Sequence, residues 1–427
     1  MGYQPKVGKL DEKPEVLPLN QINKIYILFI LSIFHLVLIF HEAIVKIFPT
    51  LVVGNISISI LLIILFGLYY SFSFLPKLKF KKFQSLIDHI NNFDTSKSIK
   101  KFLLFAVPIT IFGIILRIIT IRLIPYKVEI ADMLPLIQKA AEALLHGGNP
   151  YQTYYFPYPM PLTFWPGLWL IYVPSFLLNF DPRWIGLGLW IFISIMFILL
   201  PLKNAKMQKT SLVLILSSVN ILFFQISFPL ISFQAYGHTF GLWLWLMLMS
   251  MTLIYKKYVW SAFLFGLVLA SRQTAIIYAP ILVAFWGFQA GWGKAIKYLL
   301  TSGIVFGIIV LPFLIQSPQQ FLIAPIQHYR ALGEYAMSLG ETGWTGNSIG
   351  FSYIIQKNLG ANYLSAILGI TTVLLSGASF LLARKITGLL VYLAFCVTVF
   401  SFFTPIPWMY EYFPPLLFLT MALISEE

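Results

Sequence analysis

Glu129 and Asp132 stand three residues apart in a chain with only 15 acids among its 427 residues, and both follow closely on a long apolar run. A carboxylate held beside a hydroxyl can take its proton, and a carboxylate that precedes a helix can cap it by accepting a backbone N–H. Both roles are open to Asp132. After it, Met133, Leu136, Ile137, Ala140, Ala141 and Leu144 recur at helical spacing, with Gln138, Lys139, Glu142 and His146 on the other face. The two roles are compatible, because a rigidly held carboxylate is a better-placed base. Glu129 reads equally as a second base or as a solvated loop acid.

Cations that could oppose a negative group are few in this part of the chain. Arg272 interrupts an otherwise apolar hairpin, YVWSAFLFGLVLASRQTAIIYAPILVAFWG from Tyr258 to Gly287. A charge there has a sizeable desolvation cost, so it marks either a functional position or an arginine reaching for the headgroups. His328 and Arg330 in IQHYRALGEY, and His238, Arg117, Arg122 and Lys127, complete the set. No histidine pair stands at ligand spacing, and Glu129 with Asp132 would leave most of a divalent ion's coordination to water or lipid. No metal and no cofactor is expected.

The elements that must position these residues follow from composition. Hydrophobic residues make up 59% of the chain and charged residues 10%, against roughly a quarter charged in soluble domains; the mean hydropathy is +0.84. Apolar runs long enough to cross a hydrocarbon core of about 30 Å recur throughout. The expected fold is all-α and polytopic, a bundle of about 11–13 transmembrane helices, with the segment after Asp132 as an amphipathic helix in the interface, stopped by Gly147-Gly148. The aromatic and proline run from Tyr151 to Trp169 is expected at headgroup level. The single cysteine, Cys396, excludes a disulfide within the chain. The net charge of +14 is read as the basic excess of cytoplasmic loops, not as a nucleic-acid surface.

Basic clusters set the expected orientation. The polar first 24 residues lack the apolar core of a secretory signal and read as a cytoplasmic tail. Runs at about 25–48 and 51–75 lead to the lysine-rich segment 76–101, also cytoplasmic, and the run at about 102–124 leads out again. Lys256/Lys257, Lys294/Lys297 and Arg384/Lys385 mark further cytoplasmic ends. Segments 125–161, 316–350 and 404–413 are then the far-side loops. One region miscounts: if 162–178 and 184–200 both cross, Lys203, Lys206 and Lys209 fall outside, so either the first piece is re-entrant or the lysine rule fails there. Residues 1–101 read as a tail, a two-helix addition and a basic loop; residues 102–427 read as one membrane module.

A carboxylate just after a membrane exit, a helix ending AAEALLHGGNPY, and a Tyr/Pro-rich re-entry resemble the GT-C superfamily of integral-membrane glycosyltransferases. The similarity is to glycosyltransferase family 87, whose members use polyprenyl-phosphate mannose. The family's Tyr-Pro-Pro-Leu element stands here as Tyr158-Pro159-Met160-Pro161-Leu162, one residue longer; its Asn-Ser element is Asn347-Ser348; its Gly-Gln pair is Gly237-His238, a departure. The resemblance covers about 102–424.

It implies inverting transfer of a hexose, mannose by the family's habit, from a polyprenyl-phosphate sugar to a glycolipid or glycan acceptor, on the extracytoplasmic face of the cell membrane. Asp132 would be the base, with Glu129 in reserve. Arg272, Arg330, His328 and His238 would face the donor phosphate, and Glu411, Tyr410, Asn347, Trp344 and Tyr158 the sugars. Tyr410, with Trp408 and Tyr412, fits an interfacial aromatic belt equally well. Two other functions remain open: a ligase or polymerase of lipid-linked glycans, which His328 and Arg330 would suit, and a transporter, although no matching polar breaks divide the chain into halves.

Overall fold

In lipid a chain can satisfy its backbone hydrogen bonds only within helices or closed barrels, and this chain takes the first course. The computed structural model describes residues 19–74, 94–129, 132–155, 159–208, 211–340, 349–405 and 408–425. The fold is that of an all-α, polytopic membrane protein. Seven of the described helices are long and apolar enough to cross a bilayer, and shorter apolar helices fill the spaces between them.

In chain order the helices are α1 (Leu19–Val45), α2 (Leu51–Phe74), α3 (Thr95–Leu123) and α4 (Met133–Leu145). A small antiparallel pair follows, β1 (Thr153–Tyr155) with β2 (Pro159–Pro161), in which Tyr154 faces Met160. Next come α5 (Pro166–Trp169), α6 (Val173–Leu177), α7 (Arg183–Gln208), α8 (Leu212–Ile226), α9 (Phe228–Phe233), α10 (Phe240–Ile254) and α11 (Tyr258–Ser271). The last are α12 (Tyr278–Ala290), α13 (Trp292–Gln316), α14 (Pro318–Leu322), α15 (Ala324–Ser338), α16 (Ser352–Leu359), α17 (Ala361–Leu382), α18 (Ile386–Ser401) and α19 (Phe413–Ile424).

Every residue of α19 is buried, as expected of a helix that is apolar on all sides. It packs against α1, α8, α10 and α18, so α1 is a full member of the bundle. His41 of α1 bonds Asn55 of α2 at 2.7 Å.

The miscounted region has a structural answer. The apolar piece after β2 is broken by Pro166 and Pro174 into α5, a 3-10 turn and α6, and spans Pro166–Leu177. At about 1.5 Å per residue it is too short to cross, so of the two pieces only α7 is long enough to span. The basic helix ends then meet. Ser211 bonds Ser98 at 2.8 Å, Lys203 lies 3.6 Å above the Tyr255 ring, Tyr258 bonds the Lys294 carbonyl, and Gln289 bonds the Arg384 carbonyl. All five basic clusters that bound helices therefore lie at one end of the bundle, and α4, Arg272 and α15 lie at the other.

Two groups singled out in the sequence lie inside the protein. Tyr151, Phe164 and Trp169 are buried. The Tyr151 hydroxyl donates to the Phe164 carbonyl (2.7 Å) and accepts from Trp169 Nε1 (3.1 Å), so these polar atoms satisfy one another without headgroups. Arg117 is fully buried inside the bundle, where it donates to the carbonyls of Gly113 (2.9 Å), Phe224 (3.0 Å) and Gln225 (3.2 Å) and stacks on Trp190. It closes the C-terminal end of α8, whose last carbonyls have no helical partner, and does not face a ligand.

Candidate functional site

Helix α4 forms where its apolar spacing predicts it, burying Leu134, Leu136, Ile137, Ala140 and Ala141. It ends as its glycines require: Gly147 takes φ +73°, and the Gly148 N–H reaches back to the Ala143 carbonyl at 2.8 Å. At the other end, the cap reading of Asp132 does not hold. Its backbone is helical (φ −80°, ψ −21°) and its side chain makes no capping bond; the backbone carbonyl instead accepts from Leu136 at 2.9 Å. Asp132 lines a cavity of about 850 Å³.

That cavity gathers residues from distant parts of the chain. Asp132 shares it with His238, from the turn between α9 and α10, with His328 and Tyr329 of α15, and with Trp408 and Tyr410. Thr163 joins the wall, its hydroxyl 3.5 Å from that of Tyr329, while Gln273 donates to the Thr163 carbonyl at 2.9 Å. Most of the remaining wall is apolar and comes from α1, α9 and α19, including Leu38, Phe233 and Phe413, while His41, Glu42 and Lys46 add polar groups at the end of α1. Phe40 and Phe228 also line it and are 51% and 72% exposed. The cavity therefore opens sideways, between α1 and α9, where these exposed rings stand beside the exposed Glu42 and Lys46.

Arg272 and Glu411 stand behind Tyr410. Their side chains, 13% and 8% exposed, form an ion pair at 2.6 Å; Thr404 donates to the second Glu411 oxygen at 3.1 Å, and the guanidinium lies 5.5 Å from the Tyr410 ring centre. The extended backbone at Arg272 (φ −155°, ψ 139°), which breaks the hairpin between α11 and the following 3-10 turn, aims the side chain inward. Arg272 is thus matched by an internal carboxylate and Glu411 is occupied; both hold Tyr410 in the cavity wall from behind.

His238 differs from its neighbours. It is 2% exposed, both ring nitrogens lack a hydrogen-bond partner among the described residues, and the ring packs against Phe164 (4.4 Å) and Tyr410 (5.5 Å). Burial, and then the nearby Arg272 charge, push its pKa down to about 3. Burial lowers His328 as well, and the Asp132 carboxylate pulls it partly back.

Of the residues singled out in the sequence, Asp132, His238, His328 and Tyr410 come together in the cavity wall, with Arg272 and Glu411 one layer behind. Glu129 is exposed and outside the lining. Arg330 points away, in an exposed pair with Glu334 at 3.4 Å. Tyr158, Trp344 and Asn347, like Glu341, lie outside the described residues. Sequence reasoning passed over His41, Glu42 and Lys46, which line the cavity from the end of α1. Two charges one turn apart at the end of an apolar span were the available signal. Among the described residues, no three His, Cys, Asp or Glu side chains gather as metal ligands would.

Comparison of the chain with protein-family models, curated proteins and solved structures returns no match.

Proposed function

We propose that the chain is a membrane glycosyltransferase that moves a hexose, mannose in the first instance, from a polyprenyl-phosphate donor to a hydroxyl of a glycolipid or glycan. What supports this reading is one arrangement: a carboxylate, Asp132, not engaged in capping, on the wall of a laterally open, largely apolar cavity that also carries imidazole and phenol groups.

In the reaction the acceptor oxygen forms a bond to the anomeric carbon as the bond from that carbon to the phosphate oxygen breaks. Asp132 takes the acceptor proton, and the lipid phosphate leaves with the bonding electron pair. Attack opposite the departing phosphate inverts the anomeric centre. His328, beside Asp132, can hydrogen-bond sugar or phosphate oxygens, and the phenol face of Tyr410 can lie against a sugar ring. No metal is required, since a single phosphate leaving group needs only donors aimed at it. The basic end of the bundle is placed in the cytoplasm with residues 1–18, and the cavity on the extracytoplasmic side of the cell membrane.

The test uses the purified full chain in lipid, radiolabelled polyprenyl-phosphate mannose and a panel of glycolipid acceptors. Transfer by the native chain, reduced by about 10²-fold or more in Asp132→Asn with the unfolding midpoint unchanged, is expected. Undiminished transfer by Asp132→Asn would remove the base assignment. No transfer from any polyprenyl-phosphate sugar, together with substrate uptake into proteoliposomes, would replace the enzyme with a transporter.

A further inference from the structure

The cavity wall is short of permanent cations. Arg272 is already matched by Glu411, Arg330 by Glu334, and Arg117 by backbone carbonyls deep in the bundle. His238 has no charge-stabilising partner. Among the described residues, the only lysine or arginine on the lining is Lys46, in the turn that ends α1. Its side chain is exposed and makes no ion pair among the described residues, although Glu42 stands one helical turn earlier on the same wall. Lys46 follows closely on Phe40, one of the two exposed aromatic residues at the sideways opening.

We propose that the end of α1 carries the phosphate site of this cavity: the Lys46 ammonium pairs with the phosphate of a lipid whose tail lies along Phe40 and Phe228. This rests on the reading of the chain as a user of lipid-phosphate sugars, and it moves the phosphate-binding role away from Arg272 and Arg330. Asp132 and Glu42 are the two carboxylates of the wall, and Lys46 is its one fixed cation among the described residues. The Lys46 end therefore holds the anionic head, and the sugar attached to it extends toward Asp132. The first helix pair, read from the sequence as an addition, becomes an obligatory part of the site. Charge-assisted hydrogen bonds to phosphate are among the stronger polar contacts, and a point charge such as lysine supplies them without demanding one geometry.

The experiment measures binding of a fluorescent polyprenyl phosphate to the full chain in nanodiscs of zwitterionic lipid. The matching prenol, without phosphate, and inorganic phosphate are the comparison probes. The native chain should bind the phosphate lipid more tightly than the prenol, and inorganic phosphate should compete only weakly. Lys46→Gln should weaken the phosphate lipid by roughly tenfold or more and leave the prenol unchanged. Lys46→Arg should restore most of the loss, and Arg330→Gln should have no effect. Equal binding by the native chain and Lys46→Gln overturns the assignment, as does equal affinity for phosphate lipid and prenol. Tighter binding of an ammonium-headed lipid than of the phosphate lipid also overturns it, by showing that the two carboxylates rule the cavity. Lys46-dependent binding without sugar transfer would uphold this site and refute the transferase reading, so the two failures are distinct.

Discussion

Glu411→Gln is the most informative single change outside the cavity wall. It keeps the shape of the side chain and removes the charge that faces Arg272 at 2.6 Å, in a place where the two side chains are only 8% and 13% exposed. Water cannot replace the lost carboxylate there. Breaking a buried pair by removing one partner costs about 3–5 kcal/mol, and the Tyr410 ring, already in contact, offsets none of it. Arg272→Gln should cost less, because a stranded carboxyl has the option of holding a proton and a guanidinium has not. In the double variant Arg272→Gln/Glu411→Gln neither charge is stranded, so its loss should fall below the sum of the single losses by about 0.5–3 kcal/mol. The assay is unfolding of the detergent-solubilised full chain in denaturant, followed by tryptophan fluorescence, for all four members of the cycle. Strict additivity would refute the reasoning, since it would mean that the pair is solvated and that Tyr410 is not held from behind.

Two further outcomes follow from the same geometry. Arg117→Gln should cost about 2–4 kcal/mol, because the Phe224 and Gln225 carbonyls lose their donor, whereas Arg330→Gln, in a pair more than half exposed, should stay within about 0.5 kcal/mol; the same unfolding assay ranks them. His238 titrates near 6.5 when unfolded and near 3 when folded, so the unfolded chain binds the extra proton between those values. Its contribution to stability is complete above pH 6.5 and is lost as pH falls, by roughly 2 kcal/mol at pH 5. His328 adds a loss of the same sign. The midpoint measured from pH 7 to pH 5 should fall more steeply in the native chain than in His238→Phe, and parallel profiles would contradict the burial argument.

Local pattern made much of this molecule legible. The period of apolar residues after Asp132 located α4, the glycines located its end, and Arg272 marked the break between α11 and the turn that follows. The lysine positions narrowed residues 162–178 to two options, re-entry or a failure of the lysine rule, without choosing between them. What pattern could not supply was pairing across the bundle. Nothing near Glu411 in the chain indicates that its partner is Arg272, and nothing near Lys46 indicates that Asp132 and His328 share its cavity. The cap reading of Asp132 failed for a related reason: position before a helix is a local cue, while the direction of a side chain is settled by what packs around it. The aromatic run from Tyr151 was legible only as composition, which does not show that the Trp169 indole bonds the Tyr151 hydroxyl.

Five basic helix ends meeting at one end of the bundle have a consequence for how the chain enters a membrane. Each cluster biases the helices beside it toward the same orientation, so no cluster has to decide the matter alone. Neutralising Lys256 and Lys257, or Arg384 and Lys385, leaves four concordant clusters in place. By this principle the orienting bias is shared among the clusters, and the loss of one pair is expected to leave the topology unchanged.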